Sequence, residues 1–189
     1  GRVVGEGPAA VQAHLDLARA YAARGQYDIA AAEYDRGLAD NLAPALQVKA
    51  LNAKARMWFD SNFQGAFASY FTRGIEQAAA VYRQLIILPG CSNADKIAAC
   101  QGLANCQLEL MDVAAANQTL DAALQLPNLT ENELFTAKRN KADALYRELE
   151  YDAALALYRS LWSDKLPVNA RTPIEDRIMA ILLEQQRVE

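Results

Sequence analysis

The stretch 138–162, KRNKADALYRELEYDAALALYRSLW, constrains the fold of this chain more than any other. Apolar and small residues recur there every three or four positions, the mark of amphipathic helices. The first helix offers Ala142, Leu145 and Leu149, and the second Tyr151, Ala154, Leu155, Tyr158 and Leu161. A tight turn is expected at 148–151. Alanine stands where two helix axes must come close, because a larger side chain would push them apart. One hairpin of this size cannot bury both of its faces, so it needs neighbours of the same kind.

The pattern recurs upstream. An early copy has Leu17, Ala18 and Tyr21, then Gly25, Gln26, Tyr27 and Asp28, then Ala30, Tyr34, Gly37 and Leu38. A later one has Leu103 and Ala104, then Val113, Ala116, Leu120, Ala123 and Pro127. These residues resemble the tetratricopeptide repeat (TPR) over most of 11–167, with Gln107 standing where that family has an aromatic. The resemblance implies an all-α fold, a right-handed α-α superhelix of about four helical hairpins with a C-terminal capping helix. One departure is clear. Pro44, Pro89, Pro127 and Pro167 punctuate the units at spacings of 45, 38 and 40, against a family period of about 34. The extra residues are expected in longer turns and one insertion, and a different helical-hairpin solenoid with a longer repeat stays open.

The expected organisation is a lead-in over 1–8, then one repeat domain over 9–189. Its units fall at about 9–44, 45–90, 91–129 and 130–168, with a terminal helix at 172–187. In the second unit, Asp60, Ser61 and Asn62 are expected to break the first helix, and Ser61 with Gln64 to open another as a capping box. The helical pattern then continues to Leu88, favouring one long helix bent at Gly74 over two. Ser92 or Asn93 is expected to cap the third unit, with helices at about 94–110 and 112–125. Thr130 and Glu133 form a second capping box, with helices at about 131–148 and 151–163. Thr172, Pro173 and Glu175 should start the last helix. That helix would cover the fourth hairpin with Ile174, Ile178, Ile181 and Leu182, or form the first half of a fifth repeat.

Net charge is -4, with 19 basic and 23 acidic residues. This argues against nucleic acid as the main partner, since phosphate binding favours a basic surface. The longest apolar runs, 85–88 and 178–183, fall far short of the roughly 20 residues that a membrane span needs. Cys100 and Cys106 share one expected helix and would sit about 9 Å apart along it, too far for a disulfide. With Cys91 they read as free thiols, which points to a reducing, cytoplasmic setting. The chain opens at Gly1 without methionine, read as a trimmed or processed start. That leaves a bacterial periplasm or cell envelope open too. The Asn117 and Asn128 sequons read as coincidental.

Chemistry-bearing motifs are sparse. His14 is the single histidine, leaving little for a histidine metal site or a triad, and it reads as a surface or packing residue. There is no Gly-rich phosphate loop and no Cys-x-x-Cys. Glu131 and Glu133 sit in a helix first turn, where the macrodipole explains them. We expect no cofactor, no metal and no catalysis. A helical-toroid hydrolase with two carboxylates is the reading from another class.

In proteins this chain resembles, the first helix of each hairpin lines a concave peptide-binding surface. That places Arg19, Asn52, Arg56, Gln101, Asn105, Arg139, Asp143 and Tyr146 in the groove. Guanidinium forks grip carboxylates and carbonyls, and side-chain amides pair with peptide backbone. The partner would be a protein or peptide of acidic character. The carboxylate clamp of chaperone-docking relatives is absent, since its slots hold Leu15, Arg19, Ala53, Ala98 and Gly102. Trp58, Phe59, Phe63, Phe67, Tyr70 and Phe71 crowd into fourteen residues. They read first as packing for the enlarged second unit. The sharper alternative is a self-association anchor formed by Trp58, Phe63, Phe67 and Phe71. The functional expectation is a non-catalytic binding scaffold within a larger protein or assembly.

Overall fold

Nine helices follow one another among the described residues, with no strand. The computed structural model describes residues 8–38, 42–61, 68–164 and 166–188. The helices are α1 (Pro8–Ala22), α2 (Tyr27–Leu38), α3 (Pro44–Ser61), α4 (Ala68–Ile87) and α5 (Asn93–Glu109), then α6 (Val113–Leu124), α7 (Glu131–Arg147), α8 (Tyr151–Leu161) and α9 (Val168–Val188). Contacts group the chain into two compact units, 1–111 and 112–189. The boundary falls in the turn between α5 and α6, inside the expected third hairpin.

In the first unit α1 packs on α2, α3 on both α2 and α4, and α5 on α4. Val11, Leu15 and Ala18 from α1 meet Ala30, Ala31 and Tyr34 from α2 in a core that continues through Leu51, Ala55, Ile75, Ala78, Leu85 and Leu103. The α1–α2 turn shows why so short a link suffices. The amide of Gln26 donates to the Tyr21 carbonyl, and that of Gly25 to the Ala22 carbonyl. Gly25 takes φ 71° between them. This is the Schellman arrangement, which satisfies the last carbonyls and reverses the chain at once.

The second unit holds α6 against α7, α7 against α8 and α8 against α9. Its core joins Ala142, Ala154, Leu155, Tyr158 and Leu161 to Ile174 and Ile181 of α9. The α7–α8 turn repeats the Schellman bonds, Glu150 to Leu145 and Leu149 to Tyr146, but places Leu149 in the left-handed region at φ 64°. The Thr130–Glu133 capping box closes in both directions at the start of α7. Ser92 caps α5 by accepting from the Asp95 amide, and Asp112 caps α6 by accepting from the Ala115 amide.

Three local expectations need correction or completion. The helix that Ser61 was expected to open falls on residues 62–67, outside the described residues, and Gln64 with it. Ser61 itself is the last residue of α3, and its hydroxyl donates back to the Trp58 carbonyl at 2.7 Å. Gly74 neither ends nor splits α4, which runs unbroken through it. The stripe Ile75, Ala78, Ala79, Tyr82 and Leu85 that follows Gly74 is buried, and this outweighs the propensity cost of about 1 kcal/mol for one interior glycine. The last helix starts at Val168, not at 172, with Pro173 inside it. The Pro167 carbonyl accepts from the amides of Ala170 and Arg171, so the first turn forms ahead of Pro173. The proline then withholds only its own donor from the ladder.

Candidate functional site

Arg139, Asp143 and Tyr146 lie at i, i+4 and i+7 on α7, so one face of the helix carries all three. In the second unit α9 supplies the opposite wall. Ile174 and Ile181 are its buried anchors, and Arg177, one turn after Ile174, is thereby brought to Asp143. Arg139, Asp143, Tyr158, Pro173, Ile174 and Arg177 line a cavity of about 210 Å³. The sequence placed the three α7 residues in one groove. It missed Tyr158, which read as core, and Arg177, which carries no motif. The spacing of Arg177 from Ile174 was a usable signal, but which helix faces it was not.

The wiring of this cavity is specific. Asp143 accepts from the Tyr158 hydroxyl at 2.6 Å, and Arg177 Nε stands 3.8 Å from the same carboxylate oxygen. The Arg177 guanidinium also lies 4.7 Å from the centroid of the Tyr146 ring, and Tyr146 packs against Tyr151 at 5.8 Å. Burial, with the hydrogen bond to Asp143 next, pushes the Tyr158 phenol far above its ordinary range. It therefore stays a neutral donor that fixes the Asp143 carboxylate. Arg139 makes no ion pair among the described residues. Asp143 and Arg177 are both more than a third exposed, so their attraction contributes less than about 1 kcal/mol. An incoming carboxylate or carbonyl can take Arg177 at little cost, with Arg139 beside it.

The remaining groove candidates sit on α1, α3 and α5 of the first unit. Arg19 is exposed and donates to Asp16 at 2.9 Å. Asn52 is half-buried and Arg56 exposed on α3. Gln101 Nε2 donates to Asn105 Oδ1 at 3.1 Å, and the Gln101 Oε1 atom is buried without a partner. Two of the clamp slots are committed to packing. Leu15 is fully buried, and Gly102 lies against the Tyr82 ring.

His14 joins a cluster in the first hairpin. Its Nδ1 is 2.6 Å from Oε2 of Glu33, a carboxylate only 6% exposed that also accepts from Arg36. Glu33 was legible only as a helix-face charge. The three cysteines are unpaired and buried. Burial pushes the Cys100 thiol up to about 11 and the Cys106 thiol up to about 12, leaving neither as a thiolate near neutrality. Asn117 is engaged by Lys141 and by Glu148. Of the aromatic cluster, Trp58 is 6% exposed in the first core and has Arg73 over its ring at 5.8 Å. Phe63 and Phe67 lie outside the described residues, as does the side chain of Phe71. Among the described residues, no three His, Cys, Asp or Glu groups converge as a metal site, and no helix is long and apolar enough to cross a membrane.

Comparison with known proteins supports the fold. No family model matches the chain, and no curated protein does. Among solved structures it is similar to nearly identical TPR-like repeats from Podosopora anserina, described as a kinesin light chain, at 18% identity and a TM-score of 0.50. The match covers 98% of this chain and 81% of the other. The chain thus has an all-α, TPR-like helical-repeat fold.

Proposed function

We propose that this chain is a non-catalytic member of the TPR class that holds an extended peptide segment of a partner protein. The α7–α9 cavity takes an acidic group of that segment. The observation that carries the reading is the convergence of Arg139 and Arg177 on a cavity sized for one side chain. The Asp143 carboxylate there is pre-set by Tyr158. Arg139 and Arg177 offer planar forks suited to a carboxylate or to backbone carbonyls. Within the first unit, Arg19, Asn52, Arg56, Gln101 and Asn105 are proposed as peptide contacts of their own. Such a scaffold works by shape and hydrogen-bond complementarity, with no bond made or broken.

A displayed library of random peptides, selected on the native chain, tests this. Peptides enriched in Asp or Glu are expected. They should lose about tenfold or more in affinity toward an Arg139→Glu, Arg177→Glu variant of unchanged helicity. Absence of any enrichment, or equal binding to the variant, overturns the reading.

A further inference from the structure

Residues of α8, α9 and the link between them line an open concavity that the peptide reading does not use. It has a volume of about 600 Å³ and is lined by Arg159, Trp162, Glu175, Ile178 and Met179. Its wall is pre-set. The indole Nε1 of Trp162 donates to Glu175 Oε1 at 3.1 Å, and Arg171 Nε stands 3.4 Å from the same oxygen. Further along, Gln185 donates to Asp152 at 2.7 Å and ties α9 to α8. The Trp162 ring is nonetheless 44% exposed.

An apolar ridge borders this concavity and shares Met179 with its lining. Met179 and Leu183, one turn apart on α9, are 57% and 53% exposed. Asp176 continues the same stripe toward the N-terminus, at i-3 from Met179. The face therefore holds a hollow lined by Trp162 and Ile178, a ridge of two flexible apolar side chains, an unpaired cation at Arg159 and an unpaired anion at Asp176, with Glu175 already engaged by Trp162 and Arg171. Neither Arg159 nor Asp176 makes an ion pair or a side-chain hydrogen bond among the described residues. A surface with a hollow, a matching knob and opposite unpaired charges is complementary to itself. That is what an isologous two-fold interface requires.

We infer that the α8–α9 face is the contact between two copies of this chain. Met179 and Leu183 of one copy fill the Trp162–Ile178 hollow of the other, and Arg159 meets Asp176 across the two-fold. Methionine suits the knob because its unbranched thioether adapts to an irregular hollow. The contact leaves Arg139, Asp143 and Tyr146 out of the interface, so the dimer would present two copies of the α7–α9 cavity.

Sedimentation equilibrium of the native chain across a wide concentration range is the test. Mass should rise from that of the 20.7 kDa chain toward twice that value. Arg159→Asp and Asp176→Arg, each alone, should raise the dimer dissociation constant about tenfold or more. The Arg159→Asp, Asp176→Arg double variant should recover it, because the swap restores opposite charges across the two-fold. Met179→Asp should give monomer with unchanged circular dichroism. A native chain that stays monomeric at about 100 µM overturns the inference. So does a double variant no tighter than either single one. Peptide binding by a monomeric variant is read separately, so failure here and failure of the peptide reading are distinguishable.

Discussion

Gly102 offers a sharp test of how the first unit is held together. A Cβ built there would lie 2.3 Å from Tyr82 Cζ, 2.5 Å from Cε1 and 2.7 Å from Cε2. Ordinary contact begins near 3.4 Å, so the ring must retreat by about 1 Å. It has little room, because Tyr82 is only 7% exposed and belongs to the core shared by α3, α4 and α5. Overpacking of this kind costs about 1–3 kcal/mol. Alanine returns about 1 kcal/mol of helix propensity relative to glycine. Gly102→Ala should therefore destabilise the unit by about 1 kcal/mol on balance. Tyr82→Leu removes the three clashing atoms. In that background the same Gly102→Ala change should stabilise by about 1 kcal/mol, reversing sign. Urea unfolding read by Trp58 fluorescence in a Trp162→Phe background reports on the first unit, since the chain has two tryptophans and Trp58 lies in that core. A coupling energy between the two sites below about 0.5 kcal/mol would refute the close-packing account.

Two further outcomes are expected. Leu149→Gly should stabilise the second unit by about 1 kcal/mol, read by chemical denaturation, because φ 64° strains a leucine and suits glycine. The leucine side chain is 68% exposed, so little packing is lost. Stability of the first unit should also fall above pH 9. Cys100 and Cys106 are raised to about 11 and about 12, and Tyr82 to about 12, chiefly by burial. Raised folded-state values mean the stabilisation is complete below the unfolded values and lost as pH climbs toward the folded ones. A Cys100→Ala, Cys106→Ala chain should lose less stability between pH 9 and pH 11 in the same denaturation series. An unchanged slope would refute the assignment.

The helices, several of their caps and much of the core were written in local pattern. Tyr34, Ala154 and Tyr158 are buried where their spacing placed them, and Thr130 with Glu133 closes the box that their three-residue spacing announces. Such features depend on neighbours within one or two turns, so the sequence alone determines them. The start of α9 was less legible, because Pro173 looks like a first-turn residue until the Pro167 carbonyl is seen to serve the amides before it. The candidate site was legible by half. Arg139, Asp143 and Tyr146 share a face by spacing alone, whereas Arg177 reaches Asp143 only through the docking of α9 on Ile174 and Ile181. The same holds for Gly102, which the sequence offered as a vacant clamp slot and which packing commits to the Tyr82 ring. Periodicity fixes which residues of one helix point together. Which residues of two helices meet is decided by how their buried faces interlock, and that is a property of the tertiary structure.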